Sequence, residues 1–98
     1  MIVVRNVFRL KFGKSKEART HVKEAIALNQ KLGVKSVRAL FDVTGPSYTL
    51  VFETSHDSLS DFESKLQTVF GNKEWEALYE KLKPLCESGH REIFSVVE

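Results

Sequence analysis

Ile2-Val3-Val4-Arg5-Asn6-Val7-Phe8-Arg9-Leu10-Lys11-Phe12-Gly13-Lys14 is the stretch that decides the fold of this 98-residue chain. Ile2, Val4, Phe8, Leu10 and Phe12 fall on one side of an extended backbone, with Asn6 among them, while Arg5, Arg9 and Lys11 fall on the other. The alternation predicts a strand over residues 3–12 with one buried face, ended by Gly13. Ser15 is placed to cap the helix that follows, in which Ala18, Val22, Ala25, Ile26 and Leu32 recur at helical spacing until Gly33 stops it.

Alternation resumes over residues 34–43, with Val37, Ala39, Phe41 and Val43 opposite Arg38 and Asp42. Thr44-Gly45-Pro46-Ser47 has turn chemistry, and residues 48–53 alternate again with Tyr48, Leu50 and Phe52 on one face, which predicts a hairpin. Residues 55–58 supply cap residues before a helical stripe of Leu59, Phe62, Leu66, Val69 and Phe70. Asn72 can cap a third helix bearing Trp75, Leu78, Tyr79 and Leu82 until Pro84 ends it. After Ser88-Gly89, residues 91–97 are β-branched and aromatic enough for a last strand.

The order β-α-β-β-α-(α)-β, with right-handed crossovers, leads to an α+β ferredoxin-like domain: a four-stranded antiparallel sheet with its helices on one face. One domain over residues 1–98 is expected, since no stretch resembles a linker. The other sheet face carries Val3, Val7 and Val51 interleaved with Arg5, Arg9, Arg38 and Glu53, too apolar for water and too charged for a closed core. A second copy would cover it, so these seven residues are the expected homodimer interface of a dimeric α+β barrel.

Charge is distributed unevenly. Residues 1–38 hold ten Lys/Arg and two Glu, a balance of +8, whereas residues 39–98 hold five Lys/Arg and eleven Asp/Glu, a balance of −6. The two halves are expected to face each other within or between subunits; the competing reading is an anion-binding surface of Arg5, Arg9, Lys11, Lys14, Lys16, Arg19 and Lys23. No segment has the length of a membrane span or the pattern of a leader, and a cytoplasmic location is expected. The single cysteine, Cys86, reads as a packing residue.

The stretch over residues 2–14 resembles the opening of the dimeric α+β barrel superfamily, particularly NIPSNAP-like domains and the antibiotic-biosynthesis monooxygenase group. Those families begin with such a strand and turn into their first helix through Leu-Lys-x-Gly-Lys, matched here by residues 10–14. The resemblance implies the fold and homodimer just described, and as one activity a cofactor-independent monooxygenase acting on an aromatic or quinone-forming substrate. Heme-degrading members use an Asn on the first strand with a Trp and a His from the helical layer. Asn6 matches that placement, but Phe62 and Leu78 or Tyr79 stand where the Trp and His would be, so heme degradation does not carry over.

Asn6 is the most informative single residue, because an amide in an apolar set needs partners. It either bonds a neighbour or serves as the polar fixture of a ligand pocket between sheet and helices, and Tyr48, Phe62, Trp75 and Tyr79 are on stripes that would line the same pocket or fill the core. His21, His56 and His90 lack metal-site spacing; His56 falls in a turn, and only His90 stands near a carboxylate, Glu92. No phosphate loop, nucleophile elbow or paired-cysteine motif is present, and no cofactor is expected. RNA-recognition domains share the element order, but residues 46–53 lack their basic-Gly-aromatic signature and end in Glu53. The functional expectation is a homodimer that binds a small apolar or aromatic ligand, with no nucleic-acid or membrane partner.

Overall fold

The computed structural model describes residues 1–98. Its elements run β1 (Ile2–Leu10), α1 (Ser15–Lys31), β2 (Ser36–Phe41), β3 (Thr49–His56), α2 (Leu59–Phe70), α3 (Lys73–Leu82), a short 3-10 turn (Lys83–Leu85) and β4 (Cys86–Ser95). The four strands form one antiparallel sheet in the order β2-β3-β1-β4. This is the ferredoxin-like arrangement that the alternation of β1 predicts.

Alternation decides which side chains reach the helices. Val4 and Leu10 of β1 and Leu50 of β3 are buried together with Ala18, Val22 and Ala25 of α1. Leu10, Ala18, Val22, Leu50 and Leu85 form one packed cluster, so the core concentrates where α1 crosses the sheet. Gly33, at a φ of 96°, ends α1 in a left-handed conformation that residues with a Cβ seldom adopt. Ser58 Oγ accepts from the Asp61 amide at 3.1 Å, and Asn72 Oδ1 accepts from the Trp75 amide at 3.1 Å, so α2 and α3 are capped as expected.

Local expectations fail at four places. Strand β1 ends at Leu10, and Phe12 is exposed, its ring meeting that of Tyr48 edge-on at 5.2 Å. Lys14 occupies the N-cap of α1, with no side-chain cap, so Ser15 does not cap it. Strand β2 stops at Phe41, leaving Val43 in solvent. The largest difference is β4, which begins at Cys86: Ser88 and Gly89 are ladder residues paired with Arg9 and Phe8 rather than a turn. A Cβ on Gly89 would lie 2.7 Å from Phe8 Cδ1, so glycine is what lets the Phe8 ring lie over the neighbouring strand.

The basic and acidic parts of the chain meet within the single chain. Glu53, with its side chain 13 % exposed, lies 3.5 Å from Arg5 Nε and 2.8 Å from Arg38 Nε, and Lys31 of α1 reaches Glu74 of α3 at 3.4 Å. Each pair joins a residue before position 39 to one after it. The Arg5–Glu53–Arg38 group lies on the sheet face away from the helices, beside Val3, Val7 and Val51. Of these, Val51 is buried, and Leu40 and Phe94 on the same face are exposed. No helix is long and apolar enough to cross a membrane.

Candidate functional site

On the helix side of the sheet, α1 covers one part and α2 and α3 arch over the rest. The inward positions of β4 next to this arch are Gly89 and Arg91, which bring little apolar bulk. A cavity of about 570 Å³ remains, within the roughly 300–1,000 Å³ usual for small-molecule sites. Its walls include Asn6, Phe8, Phe52, Phe62, Leu66, Trp75 and Tyr79.

Four of the five residues singled out from the sequence, Asn6, Phe62, Trp75 and Tyr79, therefore meet at one cavity. Tyr48 does not join them. It takes a left-handed backbone with φ of 62°, and its ring packs against Phe12 and the Leu10–Leu50 cluster instead. The period-2 pattern that placed it beside Leu50 and Phe52 breaks at the strand's first residue, because β3 starts only at Thr49.

Asn6 has a partner that sequence could not reveal. Its Oδ1 accepts from Arg91 Nε at 2.9 Å, across the β1–β4 ladder and 85 positions along the chain. The Arg91 guanidinium also lies over the Phe62 ring, 5.4 Å from its centroid. Asn6 thus bonds a neighbour and lines the cavity at once, so the two readings left open for it are compatible. Trp75 and Tyr79 stand one helical turn apart on α3 with ring centroids 6.5 Å apart, half-buried and exposed respectively.

A second polar group in the cavity wall was missed. His56 belongs to β3 rather than a turn, because Thr54, Ser55 and His56 pair with Val4, Val3 and Ile2. Its ring is buried, with Nε2 2.9 Å from Thr54 Oγ1 and Nδ1 3.6 Å from Asp61 Oδ2. His90 is therefore not the sole histidine beside a carboxylate; its own contact with Glu92, at 3.4 Å, is exposed. The Ser/Thr/Asp-rich composition of residues 54–61 resembles cap chemistry, and only spacing of i and i+2 on a strand could have put Thr54 and His56 on one face.

Burial lowers the affinity of His56 for a proton below the ordinary histidine value of 6.5, overcoming the opposing pull of Asp61. A histidine held neutral in the fold but free to charge when unfolded contributes stability above 6.5, and loses it as pH falls toward its folded pKa. Urea denaturation is expected to show stability declining below pH 6.5, with a shallower decline in His56→Gln. Cys86 lines the same cavity, and burial pushes its thiol above the ordinary range, against the nearby Lys11. An unreactive packing thiol fits both the reading from sequence and this environment.

Sheet order and helix placement give the fold found in solved structures of NIPSNAP family proteins and of proteins named as antibiotic biosynthesis monooxygenases. A NIPSNAP family protein from Agrobacterium tumefaciens is similar with a TM-score of 0.91 and 22 % identity, covering 99 % of this chain and 86 % of that one. An uncharacterized NIPSNAP domain protein from Burkholderia xenovorans gives 0.89 at 16 % identity, covering 99 % and 95 %. A putative antibiotic biosynthesis monooxygenase from Nitrosomonas europaea gives 0.77 at 10 % identity over the whole of both chains. No protein-family model and no curated protein matches the sequence.

Proposed function

We propose that the protein binds a small apolar or aromatic molecule in the cavity between sheet and helices, and does so as a homodimer. The observation that carries the ligand reading is the cavity itself: aromatic and aliphatic walls with the Asn6–Arg91 pair fixed at one side, the pattern of a site that orients a largely apolar ligand by few polar contacts. Trp75 is the single tryptophan of the chain and lines the cavity, so its fluorescence reports occupancy. Titration with 1-anilinonaphthalene-8-sulfonate is expected to quench or shift Trp75 emission saturably at one equivalent per subunit. Followed by the dye's own emission, since the variant carries a second tryptophan, binding should weaken by about tenfold or more in Leu66→Trp, whose larger ring fills the space; this converts to about 1.4 kcal/mol. Equal binding by both proteins would argue against the cavity.

Support for the dimer comes from the outer sheet face. Val3, Val7, Leu40 and Phe94 lie there around the Arg5–Glu53–Arg38 group, and Arg5 Nε is shielded from water without a hydrogen bond. A second copy packed face to face would cover the apolar residues and offer its own carboxylates to the guanidinium groups. Cofactor-independent oxygenation of the ligand is the second reading. It is supported by the likeness to proteins named as antibiotic biosynthesis monooxygenases and by Trp75 and Tyr79 in one cavity.

A further inference from the structure

His56 is the one buried titratable ring in the cavity wall, and its neighbours arrange it for proton transfer. Asp61 beside Nδ1 favours the tautomer with its proton on that nitrogen, which leaves the Nε2 lone pair to accept from the Thr54 hydroxyl at 2.9 Å. The charged groups facing the ring are Asp61 and Lys65 from α2 and Asp57 from the end of its own strand. Phe62 links this group to the Asn6–Arg91 pair: its ring centroid is 5.2 Å from that of His56 and 5.4 Å from the Arg91 guanidinium carbon. Arg91, at the exposed edge of the cavity wall, commits Nε to Asn6, which leaves its terminal amino groups uncommitted. A neutral imidazole and a cation thus stand on either side of one aromatic ring in an apolar cavity.

We propose that His56 is a general base that removes a C–H proton next to the carbonyl of an apolar ligand, and that Arg91 faces the negative charge left on the carbonyl oxygen. The proposal rests on the ligand-binding reading above and names its substrate class, an apolar or aromatic carbonyl compound. The C–H electron pair becomes a carbon–carbon double bond, the carbonyl π pair moves onto oxygen, and the proton ends on Nε2, where the ligand's C–H replaces the Thr54 hydroxyl. Asp61 stabilises the resulting imidazolium. Return of the proton to the same carbon restores His56 and needs no oxidant or other reactant. Asp61 and Thr54 are positioning residues; His56 and Arg91 touch the ligand.

The test uses a nitro-substituted benzisoxazole, an aromatic carbon acid. A base takes its ring C–H proton, the N–O bond breaks, a nitrile forms and a coloured cyanonitrophenolate is released. The intact protein is expected to exceed the same concentration of free imidazole by roughly 100-fold or more. The rate should rise with pH through an inflection below 6.5, the ordinary histidine value, because burial disfavours the charged ring. His56→Gln should lower it by about tenfold or more, and Asp61→Asn should lower it and move the pH inflection downward, since the carboxylate stabilises the charged ring. A rate no higher than that of imidazole, or one unchanged in both variants, overturns the general base. Quenching of Trp75 by the unreactive nitroindazole of the same shape separates the two ideas. Quenching without turnover overturns the base and leaves the binding site standing, while neither quenching nor turnover overturns both.

Discussion

Leu10→Ala is expected to lower the unfolding free energy by about 2–5 kcal/mol, the range for removing a large aliphatic side chain from a rigid core. Leu10 is 2 % exposed and packs against Ala18, Val22, Leu50 and Leu85, drawing on α1, β3 and the 3-10 turn at once. The backbone around it is fixed as well. Its amide donates to the Tyr48 carbonyl at 2.8 Å, and the next residue, Lys11, donates to Leu85 at 2.9 Å. Collapse into the vacated space is therefore restricted, which puts the cost toward the upper part of that range. With a total stability of about 5–15 kcal/mol for a domain of this size, the variant loses a large share of it. Urea denaturation at a fixed protein concentration checks this; a loss below about 1 kcal/mol would contradict the core assigned to Leu10.

Glu53→Lys should have its largest effect on assembly. The carboxylate stands between two guanidinium groups, 3.5 Å from Arg5 Nε and 2.8 Å from Arg38 Nε, on the face assigned to the second copy. Lysine replaces that link with a third positive charge, and on a two-fold axis the repulsion is repeated in the partner. Dimer dissociation is expected to strengthen by about 100-fold or more, or about 2.7 kcal/mol, when followed by light scattering across a dilution series. Recovery of the dimer in Arg38→Glu/Glu53→Lys would assign the effect to charge pairing rather than to misfolding. An unchanged dissociation constant in Glu53→Lys would remove this face from the interface.

The fold was legible because β1 states both of its faces in nine residues: Val4 and Leu10 point to α1, and Arg5 and Arg9 point away. Element order then follows from caps such as Ser58 and Asn72, whose hydrogen bonds are local to the chain. What stayed hidden depends on partners distant in sequence. Cys86, Ser88 and Gly89 carry no strand propensity of their own; they are held extended by the ladder to β1, with Gly89 fitted under the Phe8 ring. His56 looked like part of a turn because its neighbours are cap formers, yet pairing with Ile2 extends β3 through it.

The candidate site divides in the same way. Helical spacing was enough to bring Phe62, Trp75 and Tyr79 to the sheet side of their helices, and strand alternation brought Asn6 to meet them. Alternation carried Tyr48 too far, since a left-handed residue before the strand turns the side chain to the other end of the core. The Asn6–Arg91 bond has no local signature, since only the assembled sheet joins β1 to β4, whereas Thr54, His56 and Asp61 are close in sequence and stayed hidden because β3 runs through His56 only by pairing with β1.

Native mass spectrometry of the purified protein reads subunit number and bound mass together, and so decides whether it is a homodimer holding a small molecule in each cavity. The expected result is a species of twice the 11.2 kDa chain mass that gains one 1-anilinonaphthalene-8-sulfonate per subunit, with the Leu66→Trp dimer needing about tenfold more dye or higher for the same uptake. A monomer at micromolar concentration, or equal ligand uptake by the two proteins, would contradict it.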